Sequence, residues 1–183
     1  ETATQCKGRI TGLRIEQTLG CKYRKQFFNE YKEEVISLDS FANLVNSKYP
    51  NRYVSLNIQG PFDLPFILDS VAGIFHKKLK HFTFKDKLTV ECSDANFLYY
   101  LKQRDTTHKC LLIAQIDSVG VKDVLGFELD GIVAKFEIRN GGLEKKLKDE
   151  EKMILLYGHK IPSNFKGYDY TYIDGVQVDN PIS

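Results

Sequence analysis

Arg52-Tyr53-Val54-Ser55-Leu56-Asn57-Ile58-Gln59 alternates strictly, with Val54, Leu56 and Ile58 on one side and Tyr53, Ser55, Asn57 and Gln59 on the other. A repeat of two is the mark of a β-strand with one face in an apolar core and one in a polar environment. The polar face sets an aromatic ring among small hydrogen-bonding groups, a combination suited to stacking and polar contact.

Upstream, residues 8–15 form a second strand-like run whose alternation slips at Gly12, as at a bulge or bend. Between them the period becomes helical: Tyr23, Phe27, Phe28, Tyr31 and Val35 recur at steps of three and four. Asp39 or Ser40 then caps a second short helix, which Pro50 separates from the strand. Downstream, Asp63 and Pro65 open a helix over 64–80 whose apolar stripe ends in Lys77, Lys78 and Lys80, cations that complement its dipole. Phe82 and Phe84 lead through Lys85-Asp86-Lys87 to a strand with Leu88, Val90 and Cys92 on one face and Thr89 and Glu91 on the other. Ser93 or Asp94 caps a helix from Ala95 to Leu101.

Residues 110–117 are nearly all apolar, as expected of a strand covered on both sides. A turn around Gly120 and Gly126 leads to a strand with Ile132, Ala134, Phe136 and Ile138 inward and Val133, Lys135 and Glu137 outward. Asn140-Gly141-Gly142 ends it. A charged helix follows from Leu143 to Lys152, then a strand from Met153 to Tyr157 and a hairpin from Tyr170 to Val178 turning at Asp174-Gly175.

The 183 residues suffice for one domain, and no apolar run approaches the roughly eighteen residues that span a bilayer, so no membrane partner is expected. A formal net charge of +2 does not by itself indicate a nucleic-acid binder. Basic residues do cluster beside aromatic ones. Lys77, Lys78, Lys80, Lys85 and Lys87 surround Phe82 and Phe84, and Lys22-Tyr23-Arg24-Lys25 precedes Phe27 and Phe28. Cations that neutralise phosphates beside rings that stack on bases compose a single-strand-binding groove. The plainer reading has the lysines solvating a helix end and the phenylalanines in the core. Cys6, Cys21, Cys92 and Cys110 are isolated from one another, which favours four free thiols in a reducing compartment, with Cys6–Cys21 or Cys92–Cys110 disulfides as the alternative. His76, His81, His108 and His159 make no metal-spaced pair, so neither a metal nor a cofactor is expected.

With the insert 20–49 and the tail 140–183 set aside, the element order over residues 6–139 is strand, strand, strand, short helix, strand, strand. That order resembles the oligonucleotide-binding (OB) fold, a Greek-key β-barrel, and in particular the single-stranded-DNA-binding barrels of the replication protein A large subunit and of telomere end-binding proteins. The segments that carry the resemblance are the glycine-bent run Cys6 to Ile15, the strand Arg52 to Gln59, and Asp86 to Leu101 as a strand running into a helix. The insert sits where the replication protein carries a zinc ribbon, but residues 16–51 hold only Cys21, and the helix 64–80 is additional. The expected fold is therefore mainly β with helical insertions. An α+β mixed sheet with helices on one face is the alternative.

The resemblance implies an intracellular, nuclear, non-enzymatic domain of a larger protein that binds single-stranded DNA. It places Tyr53, Ser55, Asn57, Lys87, Thr89 and Lys135 in one groove, overhung by Arg24 and Lys25, with Tyr53 stacking and Lys87 and Lys135 on phosphates. Alternatively, the insert, the helix 143–152 and the tyrosine-rich tail make an assembly or dimerisation surface. A third class is enzymatic: Glu144-Lys145-Lys146 has the Glu-x-Lys spacing of metal-dependent nucleases, with Asp63 or Asp117 as a second carboxylate. Cys110 with His108 or His81 would offer a thiol nucleophile, although a thiol opening a buried strand is ordinarily inert.

Overall fold

Residues 36–59, 67–136, 140–158 and 169–178 are described by the computed structural model of the chain. The chain divides into two compact units, residues 1–50 and 51–183. In the first, helix α1 (Leu38–Lys48) begins at Ser37, whose hydroxyl accepts the Ser40 N–H at 3.0 Å. The cap thus lies upstream of the expected Asp39 or Ser40. The expected strand 8–15 and the helix from Tyr23 to Val35 lie outside the described residues.

The second unit is a succession of strands and helices: β1 (Val54–Ile58), α2 (Leu68–Leu79), β2 (Leu88–Cys92), α3 (Ala95–Lys102), β3 (Lys109–Ile113), α4 (Ser118–Gly126), β4 (Gly131–Lys135), α5 (Gly141–Asp149), β5 (Met153–Gly158) and β6 (Gly175–Val178). The strands pair in sequence order and every pairing is parallel. This overturns both the antiparallel Greek key and the mixed sheet. Parallel neighbours need a crossover, and four of the five connections carry a described α-helix.

Two local misreadings hid this order. The segment around Gly120 and Gly126 is helix α4, because Asp117 caps it by accepting the Val119 and Gly120 N–H groups at 3.0 and 2.8 Å, while Val121 and Val124 are buried. Gly120 is required there, since a Cβ would stand 2.3 Å from the Gln115 carbonyl oxygen. Nor does Asp174-Gly175 turn a hairpin: the Asp174 N–H donates to the Ile154 carbonyl at 2.9 Å, and Gly175 onward runs parallel to β5.

One face of the sheet is uniformly apolar. Leu56, Val90 and Cys110 stand in one register row, and Leu112, Ile132 and Ile154 in another, with Leu156 beside Ala134. All are 9% exposed or less, and helices α3, α4 and α5 pack on the strands with Phe97, Leu98, Leu101, Val121, Val124 and Leu147 buried. Burying each large side chain is worth about 1.5–3 kcal/mol.

The other face is concave. Gln177 of β6 donates from Nε2 to Glu91 Oε1 of β2 at 2.5 Å. Those strands are four steps apart in the sheet, about 19 Å if it were flat at roughly 4.8 Å per step. A direct hydrogen bond between their side chains requires the sheet to curl. Its interior carries Ser55, Asn57, Thr89 and Glu91 on the first two strands and Leu111, Ile113, Val133 and Leu155 on the next three.

Candidate functional site

The six described strands run the same way, so their C-terminal ends form one rim. A cleft of about 440 Å³ opens there, lined by Asn57, Ile58, Gln59, Glu91, Ser93, Ile113, Val133, Tyr157 and Gln177. In barrels of parallel strands this rim is where chemistry is placed, because the strands hold side chains rigidly while the following loops vary freely.

Glu91 is the centre of the cleft. It is 2% exposed, on the inner face of β2, and its Oε1 accepts hydrogen bonds from the Ser55 hydroxyl of β1 and the Gln177 amide of β6. Its other oxygen, Oε2, has no hydrogen-bond partner among the described residues. A buried carboxylate tolerates its desolvation when donors satisfy it, and two donors from different strands also hold it in one orientation. Ile58, Ile113 and Val133 supply apolar wall, and Asn57, Gln59, Ser93 and Tyr157 supply hydrogen-bonding groups. Among the described residues no group of three or more His, Cys, Asp or Glu side chains is arranged to hold a metal ion.

No family model matches the chain, and no curated protein matches it. Solved structures do. A phosphodiesterase of Oleispira antarctica, in complex with its product sn-glycerol-3-phosphate, superposes with a TM-score of 0.78 at 14% identity, covering 97% of this chain and 71% of that one. A glycerophosphodiester phosphodiesterase of Parabacteroides distasonis gives 0.75 at 8% identity over 93% of this chain and 68% of its own. One from Agrobacterium tumefaciens gives 0.67 at 11% identity over 98% and 74%. The fold is of the TIM-barrel type. The resemblance to replication and telomere OB domains is thereby overturned, and the single-stranded-DNA role with it, since that role rested on an antiparallel barrel this chain does not form. The non-enzymatic expectation came with that resemblance and goes with it; the solved proteins named above that share this architecture are phosphodiesterases, and the Oleispira antarctica protein holds the small molecule sn-glycerol-3-phosphate.

The residues expected to line a DNA groove are divided by the parallel topology. Ser55, Asn57, Thr89 and Lys135 lie on the concave face, where Ser55 is in register with Thr89 and Asn57 with Glu91. Tyr53, 82% exposed, precedes β1, and Lys87 sits in the short 3-10 turn that precedes β2, so both mark the opposite rim, about 17 Å away across a five-residue strand. Arg24 and Lys25 lie outside the described residues.

The nuclease alternative does not assemble either. Glu144 is 1% exposed on α5, Asp117 is engaged as the α4 cap, and Asp63 lies outside the described residues. Cys110 is buried in β3, and desolvation first, with the nearby Asp130 carboxylate second, pushes its thiol up to about 12, which removes it as a nucleophile. Cys92 is likewise buried and free, its thiol raised mainly by burial.

Glu91, Gln177, Ser93 and Tyr157 are the site residues that pattern reading missed. One signal was present for Glu91: a lone carboxylate in the strand Leu88-Thr89-Val90-Glu91-Cys92, whose opposite face is apolar. Gln177 had none, because its role depends on β6 closing toward β2.

Proposed function

We propose that this chain is a small-molecule phosphodiesterase acting in the cleft at the C-terminal rim of its barrel, with Glu91 as the proton-handling group. The observation that carries the reading is a carboxylate buried at the mouth of a TIM-type barrel, one oxygen held by Ser55 and Gln177 and the other facing no described partner. Likeness of fold to phosphodiesterases supports it.

Glu91 Oε2 takes a proton from the attacking water as the water oxygen bonds to phosphorus. The bond from phosphorus to the leaving alkoxide breaks, and the alkoxide receives that proton from Glu91, giving a phosphomonoester and a free alcohol. Asn57, Gln59 and Ser93 surround the ester with hydrogen-bonding groups, and the Ile58, Ile113 and Val133 wall limits the water that shares the cleft.

Phosphorus-31 NMR of the purified chain with a glycerophosphodiester, with and without added divalent cation, tests the reading. Turnover above the spontaneous rate is expected, reduced about 100-fold or more in Glu91→Gln, the range for loss of a general acid–base. Absence of turnover under every condition, or full activity in Glu91→Gln, rejects it.

A further inference from the structure

We propose that Lys135 is the anion anchor of the cleft: its ammonium binds the phosphoryl group of the ligand at the rim and so selects phosphorylated over neutral polyols. The inference rests on the phosphodiesterase reading of the same site and names the residue that sets its substrate class.

Position comes first. Side chains of β4 alternate between the two faces, and Val133 lines the cleft, so Lys135, two residues further along, projects from the same face about 7 Å closer to the rim. Its register partner is Tyr157, whose own partner is Gln177, and both line the cleft. Lys135 is therefore level in register with Tyr157 and Gln177, one step beyond Val133 on the same face and just outside the residues that line the cleft.

Charge comes second. Among the described residues, the side chains lining the cleft comprise one carboxylate, with amides, hydroxyls and apolar groups, and none of them is a cation. A phosphodiester carries a negative charge, and bringing it toward the buried Glu91 is opposed unless a cation compensates. Lys135 is exposed and has no ion-pair partner among the described residues, whereas Lys102 and Lys148 are committed to Asp130 and Asp174. An ammonium with no ion-pair partner among the described residues, carried on a flexible stem, suits a phosphate, which it meets as a point charge. With the anion held there, the ester reaches down the wall toward Glu91.

Calorimetric titration at constant ionic strength with sn-glycerol-3-phosphate, glycerol and inorganic phosphate, on wild type, Lys135→Met and Lys135→Arg, tests the assignment. Lys135→Met should weaken sn-glycerol-3-phosphate about 10- to 50-fold, within the range of a hydrogen bond to a charged group, and leave glycerol unchanged. Lys135→Arg should stay within about threefold of wild type, because it keeps the charge. Equal thermal midpoints for the three proteins, expected for an exposed side chain, exclude misfolding as the cause. If inorganic phosphate binds as well as the ester and is lost in Lys135→Met, the anchor stands and its ligand is the free anion. Affinity in Lys135→Met within twofold of wild type overturns the assignment, as does a wild type that binds neither anion. Binding that depends on Lys135 without any hydrolysis upholds the anchor and rejects only the catalytic reading.

Discussion

Replacing Asp130 should separate the energetic roles of the rim opposite the cleft. The Asp130 carboxylate accepts the Cys110 backbone N–H at 2.8 Å through Oδ2 and the Lys102 ammonium at 2.7 Å through Oδ1, so it stitches the start of β3 to the end of α3. Asp130→Ala strands the N–H of a fully buried residue, a loss of about 1–3 kcal/mol, and breaks an ion pair that is only partly buried, worth at most about 1 kcal/mol. The expected total is about 1–4 kcal/mol. Asp130→Asn keeps an acceptor for the N–H and should cost about 1 kcal/mol. Lys102→Met should cost a similar amount, since Lys102 also donates to the Glu128 carbonyl at 2.7 Å. Asp174 repeats the device, accepting the Ile154 N–H at 2.7 Å and the Lys148 ammonium at 2.8 Å. Equilibrium urea unfolding measures each difference. An Asp130→Asn loss as large as that of Asp130→Ala would show that charge, not the stranded N–H, governs this rim, and would refute the reasoning.

Three further outcomes follow from burial and close approach. A Cβ on Gly131 would lie 2.0 Å from the Met153 carbonyl oxygen, so Gly131→Ala should lose roughly 3 kcal/mol or more, seen as a collapse of soluble yield and of the urea midpoint; a near-normal midpoint would contradict the close β4–β5 approach. With its thiol near 12, Cys110 is about one part in ten thousand thiolate at pH 8, so iodoacetamide should leave Cys110 unlabelled in native protein and modify it in urea, by peptide mass mapping. The same shift fixes a sign for alkaline stability: the folded state keeps the proton while the unfolded chain releases it near the ordinary value of 9.0. Its contribution is therefore complete below pH 9 and is lost as pH rises toward 12. Cys110→Ala should lessen the alkaline decline in thermal midpoint relative to wild type, and an unchanged decline would argue against a buried neutral thiol.

Much of the local structure was legible in the residues. The alternation at Val54, Leu56 and Ile58 marks a strand, the apolar run at Leu111 to Ile113 marks one buried on both faces, and Asp94 is the cap of α3, accepting the Phe97 N–H at 3.0 Å. What misled was the meaning of the polar face of β1. In an open or Greek-key sheet such a face looks outward; in a curled parallel sheet it lines the concave side, where Ser55 hydrogen-bonds Glu91 and Asn57 stands in register with it while both remain exposed. Glycine was the second obstacle. Its low helix propensity made Gly120 and Gly126 read as a turn, and tertiary packing of Val121 and Val124 overrode that local preference.

Which residues form strands or helices, and which faces of them are apolar, is written in this chain, because both follow from side-chain period and local hydrogen bonding. Whether two strands run parallel, and whether a glutamine late in the chain reaches a glutamate 86 positions earlier, is not. Those facts depend on how the sheet curls in space, where the preference of any single residue is small beside the burial of an entire face. The cleft at the strand ends exists only once that curling has occurred.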